Sequence, residues 1–299
     1  MHRSFRFAAS VTVLTGLLAV ILPATAGHAA FPGRNGRIAF TSDRDGDFDV
    51  YTMNPDGSGL VNLTANEADD RLPAWSADGT TIAFSSDRAG SFDIWAMNAD
   101  GSDPRRVTGS RATDLFPAWS PDGTRIAFTS DRGGSNFDIY SVRADGGDLR
   151  RLTSSPSQDF SPVYSPDGTR IAFDSDRTGH GDIYVTSASG GGATRVTFSF
   201  LPEFNPDWSP DGARLAFERY DGNDLEVIVA SSGGGSEVQL TDNGVDDDFP
   251  VWSPTGNRIA FRSDRSDNAE IWVMRSDGSH PVALTRDEGF DYGPDWQPV

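Results

Sequence analysis

Pro117-Ala118-Trp119-Ser120-Pro121-Asp122-Gly123-Thr124-Arg125-Ile126-Ala127-Phe128 is the stretch that decides the fold, because versions of it recur along the chain. They start at Pro73, Pro117, Pro162, Pro206, Pro250 and Pro294, at intervals of 44, 45, 44, 44 and 44 residues. A period of this length and regularity marks a repeat architecture, in which each unit buries its apolar face only against its neighbours.

Within one interval the pattern reads as four short strands. Phe116 to Ser120 is strand a, and Pro121-Asp122-Gly123 is a tight turn in which glycine supplies a positive φ. Arg125 to Ser130 is strand b, whose Ile-Ala-Phe core is continuous enough for a strand covered on both faces. A polar, glycine-rich loop leads to strand c, Phe137 to Val142, rich in β-formers. Ala144-Asp145-Gly146 turns into strand d, Leu149 to Thr153. Four antiparallel strands in about 44 residues describe one propeller blade.

The ends of the chain are out of phase with the blades. Strand b has six copies, starting its apolar core at Ile38, Ile82, Ile126, Ile171, Leu215 and Ile259. Strand a also has six, but its first is at Pro73 and its last, Pro294-Asp295-Trp296, has no b, c and d behind it. The economical solution is an all-β, six-bladed propeller in which the C-terminal strand around Trp296 completes the first blade. Phe31 is the alternative for that place.

Composition narrows the partners. The chain has 299 residues, 44 acidic and 25 basic side chains and a formal charge of −19. That balance disfavours nucleic acid and anionic membrane surfaces, which need a basic face. It favours cations or basic protein partners, or serves solubility alone. Cysteine is absent, which removes disulfides, thiolate catalysis and zinc–thiolate sites. Residues 1–29 read as a secretory leader: Arg3 and Arg6, an apolar run from Ala8 to Leu22, Pro23, then Ala24-Thr25-Ala26 or Gly27-His28-Ala29 as the cleavage pattern. The run is short for a span of about 20 residues, so cleavage is preferred over an anchor, and no later segment could cross a bilayer. Residues 31–299 form the single propeller.

The repeat Pro-Ala-Trp-Ser-Pro-Asp-Gly-Thr-Arg-Ile-Ala-Phe-Thr-Ser-Asp-Arg, followed by Phe-Asp-Ile-Tyr, Ala-Asp-Gly and Arg-Leu-Thr, resembles that of TolB-type (PD40, WD40-like) propellers over residues 31–299. The resemblance implies a periplasmic, cell-envelope or secreted protein that binds a protein partner through its propeller. TolB itself carries a preceding α/β domain for which this sequence has no room. The repeat is also similar to propellers of prolyl oligopeptidase-type enzymes, but no hydrolase domain or nucleophile elbow follows.

In such propellers strand a is innermost, and the d–a and b–c loops share one rim. Three residues before each strand a proline stand Asp70, Asp114, Asp159, Glu203, Asp247 and Asp291. Six carboxylates around one channel mouth would suit Ca²⁺, or the basic groups of an inserted peptide. The structural alternative is that each bonds its own turn. A second acidic set opens strand c: Asp49, Asp93, Asp138, Asp182, Glu226 and Glu270. A third motif, Ser-Asp-Arg after strand b, places Arg44, Arg88, Arg132, Arg177 and Arg265, with Arg219-Tyr220 departing in the fifth blade. Both are read as ion pairing across the b–c hairpin or to a neighbouring blade.

Two functions follow. One is an exported, monomeric, non-enzymatic propeller that binds a protein or peptide with basic groups at an acidic rim. The other is a divalent-cation-dependent hydrolase, lactonase or lyase with a carboxylate-held metal in the channel. Cleavage after Ala29 would leave only His180 and His280, too few for a three-histidine metal. The near-uniform ring favours binding, since catalysis needs distinct acid and base environments.

Overall fold

A computed structural model describes residues 30–134 and 136–299; the leader expected over residues 1–29 lies outside them. Each repeat forms one four-stranded antiparallel sheet. Blade 1 holds β1 (Asn35–Ser42), β2 (Asp49–Met53) and β3 (Val61–Asn62). Blade 2 holds β4 (Asp70–Trp75), β5 (Thr81–Ser86), β6 (Asp93–Asn98) and β7 (Arg105–Arg106). Blade 3 holds β8 (Asp114–Trp119), β9 (Arg125–Ser130), β10 (Asp138–Arg143) and β11 (Arg150–Arg151). Blade 4 holds β12 (Asp159–Tyr164), β13 (Arg170–Ser175), β14 (Asp182–Ser187) and β15 (Thr194–Arg195). Blade 5 holds β16 (Glu203–Trp208), β17 (Arg214–Tyr220), β18 (Leu225–Ser231) and β19 (Val238–Gln239). Blade 6 holds β20 (Asp247–Trp252), β21 (Arg258–Ser263), β22 (Glu270–Arg275) and β23 (Val282–Ala283).

The last strand, β24 (Asp291–Pro298), pairs antiparallel with β1, Ile38 facing Trp296, and completes blade 1. The ring therefore closes as the phase of the repeat requires. Strands β24, β4, β8, β12, β16 and β20 touch in succession and form the inner wall. Strand b is the most deeply buried layer: Ile-Ala-Phe is fully buried in five blades and Leu-Ala-Phe in blade 5. Strand d is shorter than expected, two residues in each blade. It is the outer edge, and a short edge limits pairing with other chains.

Every inner strand carries a bulge that the sequence does not announce. Its third residue is left-handed: Leu72 (φ 58°), Phe116 (60°), Ser161 (51°), Asn205 (53°), Phe249 (54°) and Gly293 (60°). Five of the six are not glycine, so each is held there by its surroundings. The backbone N–H of Leu72 donates to Thr41 Oγ1 (2.8 Å) and that of Phe249 to Glu218 Oε2 (3.0 Å), both on strand b of the preceding blade. The bulges thus stitch neighbouring blades together. No helix of the described residues is long and apolar enough to cross a membrane.

Candidate functional site

The bulge decides where the six ring acids go. In blade 3 the ladder runs Trp119↔Ile126 and Ala118↔Ala127, breaks at the bulge, then resumes as Leu115↔Thr129 and Asp114↔Ser130. Asp114, expected in a loop, is consequently the first residue of the inner strand. The same holds for Asp70, Asp159, Glu203, Asp247 and Asp291, and all six have no exposed surface.

Each of the six is met by a guanidinium from its own blade. Arg88 reaches Asp70 at 2.6 Å, Arg132 reaches Asp114 at 2.5 Å, and Arg177 reaches Asp159 at 2.8 Å. Arg265 reaches Asp247 at 2.5 Å, and Arg44 reaches Asp291 at 2.8 Å. In blade 5, Arg219 Nε donates to Glu203 Oε1 at 2.8 Å. The Ser-Asp-Arg arginine therefore crosses to strand a of its own blade, not across the b–c hairpin. Its Nε donates to the serine two residues earlier, as Arg132 does to Ser130 Oγ at 2.9 Å. Its flat face covers the strand c aromatic, with Arg177 4.4 Å from the Tyr184 ring centroid. The aspartate of the motif accepts the backbone N–H of the loop entering strand a, as Asp131 does from Thr113 at 2.9 Å.

Burial pushes the Asp291 carboxyl up to about 6, with Ser42 and Arg44 pulling the other way. Burial likewise raises Asp70, Glu203 and Asp247 against their serine, threonine and arginine partners. The ring is thus a collar of buried ion pairs.

Blade 5 departs by three linked exchanges. The register pairs Glu203 with Arg219 where blade 4 pairs Asp159 with Ser175. The arginine has moved to the serine position, the acid is one methylene longer, and Ile228 replaces the aromatic that other arginines cover. The pair survives by a different route.

The strand c acids divide the rim into unequal halves. In blades 2, 3 and 4 each pairs with an arginine on strand d: Arg106 with Asp93, Arg151 with Asp138 and Arg195 with Asp182, all at 2.6 Å. The corresponding strand d residues in blades 1, 5 and 6 are Asn62, Gln239 and Ala283. Asn62 Nδ2 donates to Asp49 at 2.8 Å, while Glu226 and Glu270 accept the backbone N–H groups of Asn243 and Asp287 and lean on the hydroxyls of Thr241 and Thr285. Burial pushes Glu226 up to about 7 and also raises Glu270. Exposed carboxylates collect on this side: Asp45, Asp221, Asp242, Asp267 and Glu288.

One group of three acids among the described residues could hold a metal ion. The ligand atoms of Glu270, Asp287 and Asp291 lie within 4.8 Å of one another. Only Asp291 belongs to the ring of six. Arg44 already bridges the cluster, 2.9 Å from Asp287 and 2.8 Å from Asp291. The donor set suits Ca²⁺ by chemistry, but the guanidinium supplies a cation there already.

A hydrophobic feature on the same rim was not singled out in the sequence. The loop between β15 and β16 exposes Phe198 (68 %), Phe200 (95 %) and Leu201 (37 %). Arg195 lies over the Phe198 ring at 5.0 Å. The N–H of Tyr220 donates to Pro202 O at 2.9 Å, tying this tongue to the blade 5 loop that carries Asp221. In sequence, Val-Thr-Phe-Ser-Phe-Leu looks like a strand with alternating apolar residues. The neighbouring copies, where polar residues follow the Leu/Val-Thr pair, were the available signal.

The comparisons agree with this architecture. The family model described as the TolB beta propeller domain (PD40) matches residues 20–115 and 110–299. TolB from Acinetobacter baumannii is similar at 25 % identity and a TM-score of 0.80, covering 88 % of this chain and 67 % of that one. A putative TolB from Agrobacterium tumefaciens shares the fold at 23 % identity and a TM-score of 0.71, covering 88 % and 99 %. An oligogalacturonate lyase in complex with manganese shares it at 13 % identity and a TM-score of 0.61, covering 88 % and 78 %. No curated protein sequence matches. With its six blades, its closing strand and a family model that spans them, the chain belongs to the TolB β-propeller (PD40) family.

Proposed function

We propose that this chain is an exported, non-enzymatic binding propeller. It docks a protein or peptide partner on the rim formed by the d–a and b–c loops. The tongue of Phe198, Phe200 and Leu201 supplies the apolar contact. The exposed carboxylates of blades 5, 6 and 1, where the strand c acids lack an arginine partner, attract basic groups beside it. Family membership and the leader-like residues 1–29 support a periplasmic, cell-envelope or secreted setting.

The observation that carries this reading is the exposure of Phe200 (95 %) and Phe198 (68 %) between blades 4 and 5, at the edge of the more acidic half of the rim. Clustered exposed aromatics are unusual on a soluble surface and serve as interface anchors. Surrounding charge of one sign sets the approach of a partner of the opposite sign. The ring carboxylates take a scaffolding part, because each is buried against an arginine. That collar repeats with near-uniform chemistry, which supports binding over hydrolase or lyase chemistry.

Capture from the envelope and secreted fractions tests the reading. Wild type and a Phe198→Ser/Phe200→Ser variant are compared with and without chelator. A partner retained by wild type, lost by the variant and indifferent to chelator is expected. Equal retention by both proteins, or loss on chelation, would contradict it.

A further inference from the structure

The position after the strand a proline is small and apolar in four blades: Ala74, Ala118, Val163 and Val251. In blades 5 and 1 it is Asp207 and Asp295. Both are buried, at 0 % and 4 % exposure. Each gives one oxygen to a backbone N–H of the next blade: Asp207 Oδ2 to Trp252 and Asp295 Oδ2 to Trp75, both at 2.6 Å. Asp207 Oδ1 has no hydrogen-bond partner of ordinary geometry, and neither carboxylate has an ion-pair partner among the described residues. The six ring acids, by contrast, each have a guanidinium. Two buried carboxylates without a cation are costly.

The N-terminal end of the described chain lies beside Asp207. Ala30 is 4 % exposed and belongs to the apolar cluster containing Trp252, Ala216 and Ile259. Phe31 is 5 % exposed and belongs to the cluster containing Trp119, Val163 and Trp208. Arg34 then emerges and pairs with Val299 through two backbone hydrogen bonds, 2.7 and 3.1 Å. The backbone N–H of Ala30 is among the groups that pull the Asp207 pKa down, against the larger effect of burial and the charge of Asp295. The N–H of Ala30 therefore lies near Asp207, in the same cluster as Trp252, whose own N–H donates to that carboxylate. Gly27-His28-Ala29, one of the two small-residue patterns, puts the scissile bond immediately before that nitrogen.

We infer that cleavage after Ala29 delivers the new α-ammonium of Ala30 into a binding site formed by Asp207 and Asp295, so that processing supplies the cation this site lacks. A leader peptidase adds water across the Ala29–Ala30 amide. Ala29 leaves with the new carboxylate, and the freed nitrogen takes up protons to become the ammonium. An ammonium offers three donors where the amide offered one, and it can satisfy Asp207 Oδ1. A salt bridge made with the processed end then locks the N-terminal segment between blades 5 and 1. The inference shares with the proposed function only the removal of the leader. A retained leader defeats both, whereas a different cut or a freely reacting amine defeats this inference alone.

The sequence makes the test clean, because it contains no lysine and the α-amine is the only primary amine of the processed chain. The protein is expressed with its own leader and recovered after export. Its intact mass is measured, and the amine is dimethylated with formaldehyde and cyanoborohydride in buffer and in urea. A chain starting at Ala30, with native labelling at least tenfold slower than in urea, is expected. An Asp207→Asn/Asp295→Asn variant should label near the unfolded rate while keeping its blades. A start at Gly27, native labelling as fast as in urea, or undiminished protection in the folded variant would each overturn the inference. Should that variant fail to fold, the wild-type mass and labelling rate still decide.

Discussion

Replacing Arg132 by Met removes the guanidinium facing Asp114 while keeping much of the side-chain volume. Asp114 has no exposed surface and holds Arg132 at 2.5 Å and Ser130 Oγ at 2.6 Å. Arg132→Met leaves the buried carboxylate with the serine alone. Breaking a buried pair from one side costs about 3–5 kcal/mol. Asp114→Asn instead strands an arginine whose side chain is 16 % exposed and can turn to solvent, a loss of roughly 1–3 kcal/mol. The double variant carries neither charge and should lie near the Asp114→Asn value. A coupling equal to the Arg132→Met loss, about 3–5 kcal/mol, follows. In a domain of this size about 1 kcal/mol shifts the Tm by roughly 2–4 °C, so Arg132→Met should melt on the order of 10 °C low. Urea unfolding of all four proteins, followed by tryptophan fluorescence at pH 7, closes the cycle. Coupling near zero, with Arg132→Met as stable as wild type, would refute the collar and return the six carboxylates to the role of a free ligand ring.

Acidity should stabilise the fold. Burial pushes Asp174 up to about 7, so its contribution is complete below its unfolded value near 4 and is lost as pH rises through 7. Between pH 5 and 8 wild type should lose about 2–3 kcal/mol more than Asp174→Asn in parallel urea titrations, and equal slopes would count against it. Trp296, 3 % exposed and paired with Ile38, closes the ring. Trp296→Ala should cost about 3–5 kcal/mol by chemical denaturation, and a loss under 1 kcal/mol would mean closure is carried elsewhere. Because Arg44 occupies the Glu270–Asp287–Asp291 cluster, about 5 mM Ca²⁺ should raise the Tm of Arg44→Gln and leave wild type unmoved. A rise in wild type of several degrees would mean the cation competes successfully with the guanidinium.

The 44-residue ruler made the blades and their closure readable. Counting strands a and b separately was enough to send Trp296 back to Ile38. The burial of the ring acids was not readable, because it depends on a left-handed residue before the strand a proline. Leu72 or Phe249 carries no mark of that conformation in sequence, and residues before proline ordinarily prefer an extended one. The arginine partners were visible as a motif, but their direction across the sheet follows from the register the bulge sets. Glu203, Arg219 and Ile228 were each noticeable departures, and only the pairing shows them to be one compensated change. Phe198 and Phe200 were hidden by alternation, since an exposed loop and a half-buried strand can share that pattern. Asp207 and Asp295 were in plain view, as Pro-Asp-Trp where other copies have Pro-Ala or Pro-Val, inside a motif whose repetition made it look like scaffold alone.

The working surface is tested most directly by site-specific photocrosslinking in cells that produce the exported protein. One photoreactive residue is placed at Phe200, on the acidic rim, and another at exposed Asp100, in a c–d turn on the opposite rim. A discrete protein adduct from position 200 and none from position 100 is the predicted result. An adduct from position 100 alone, or none from position 200, would contradict it.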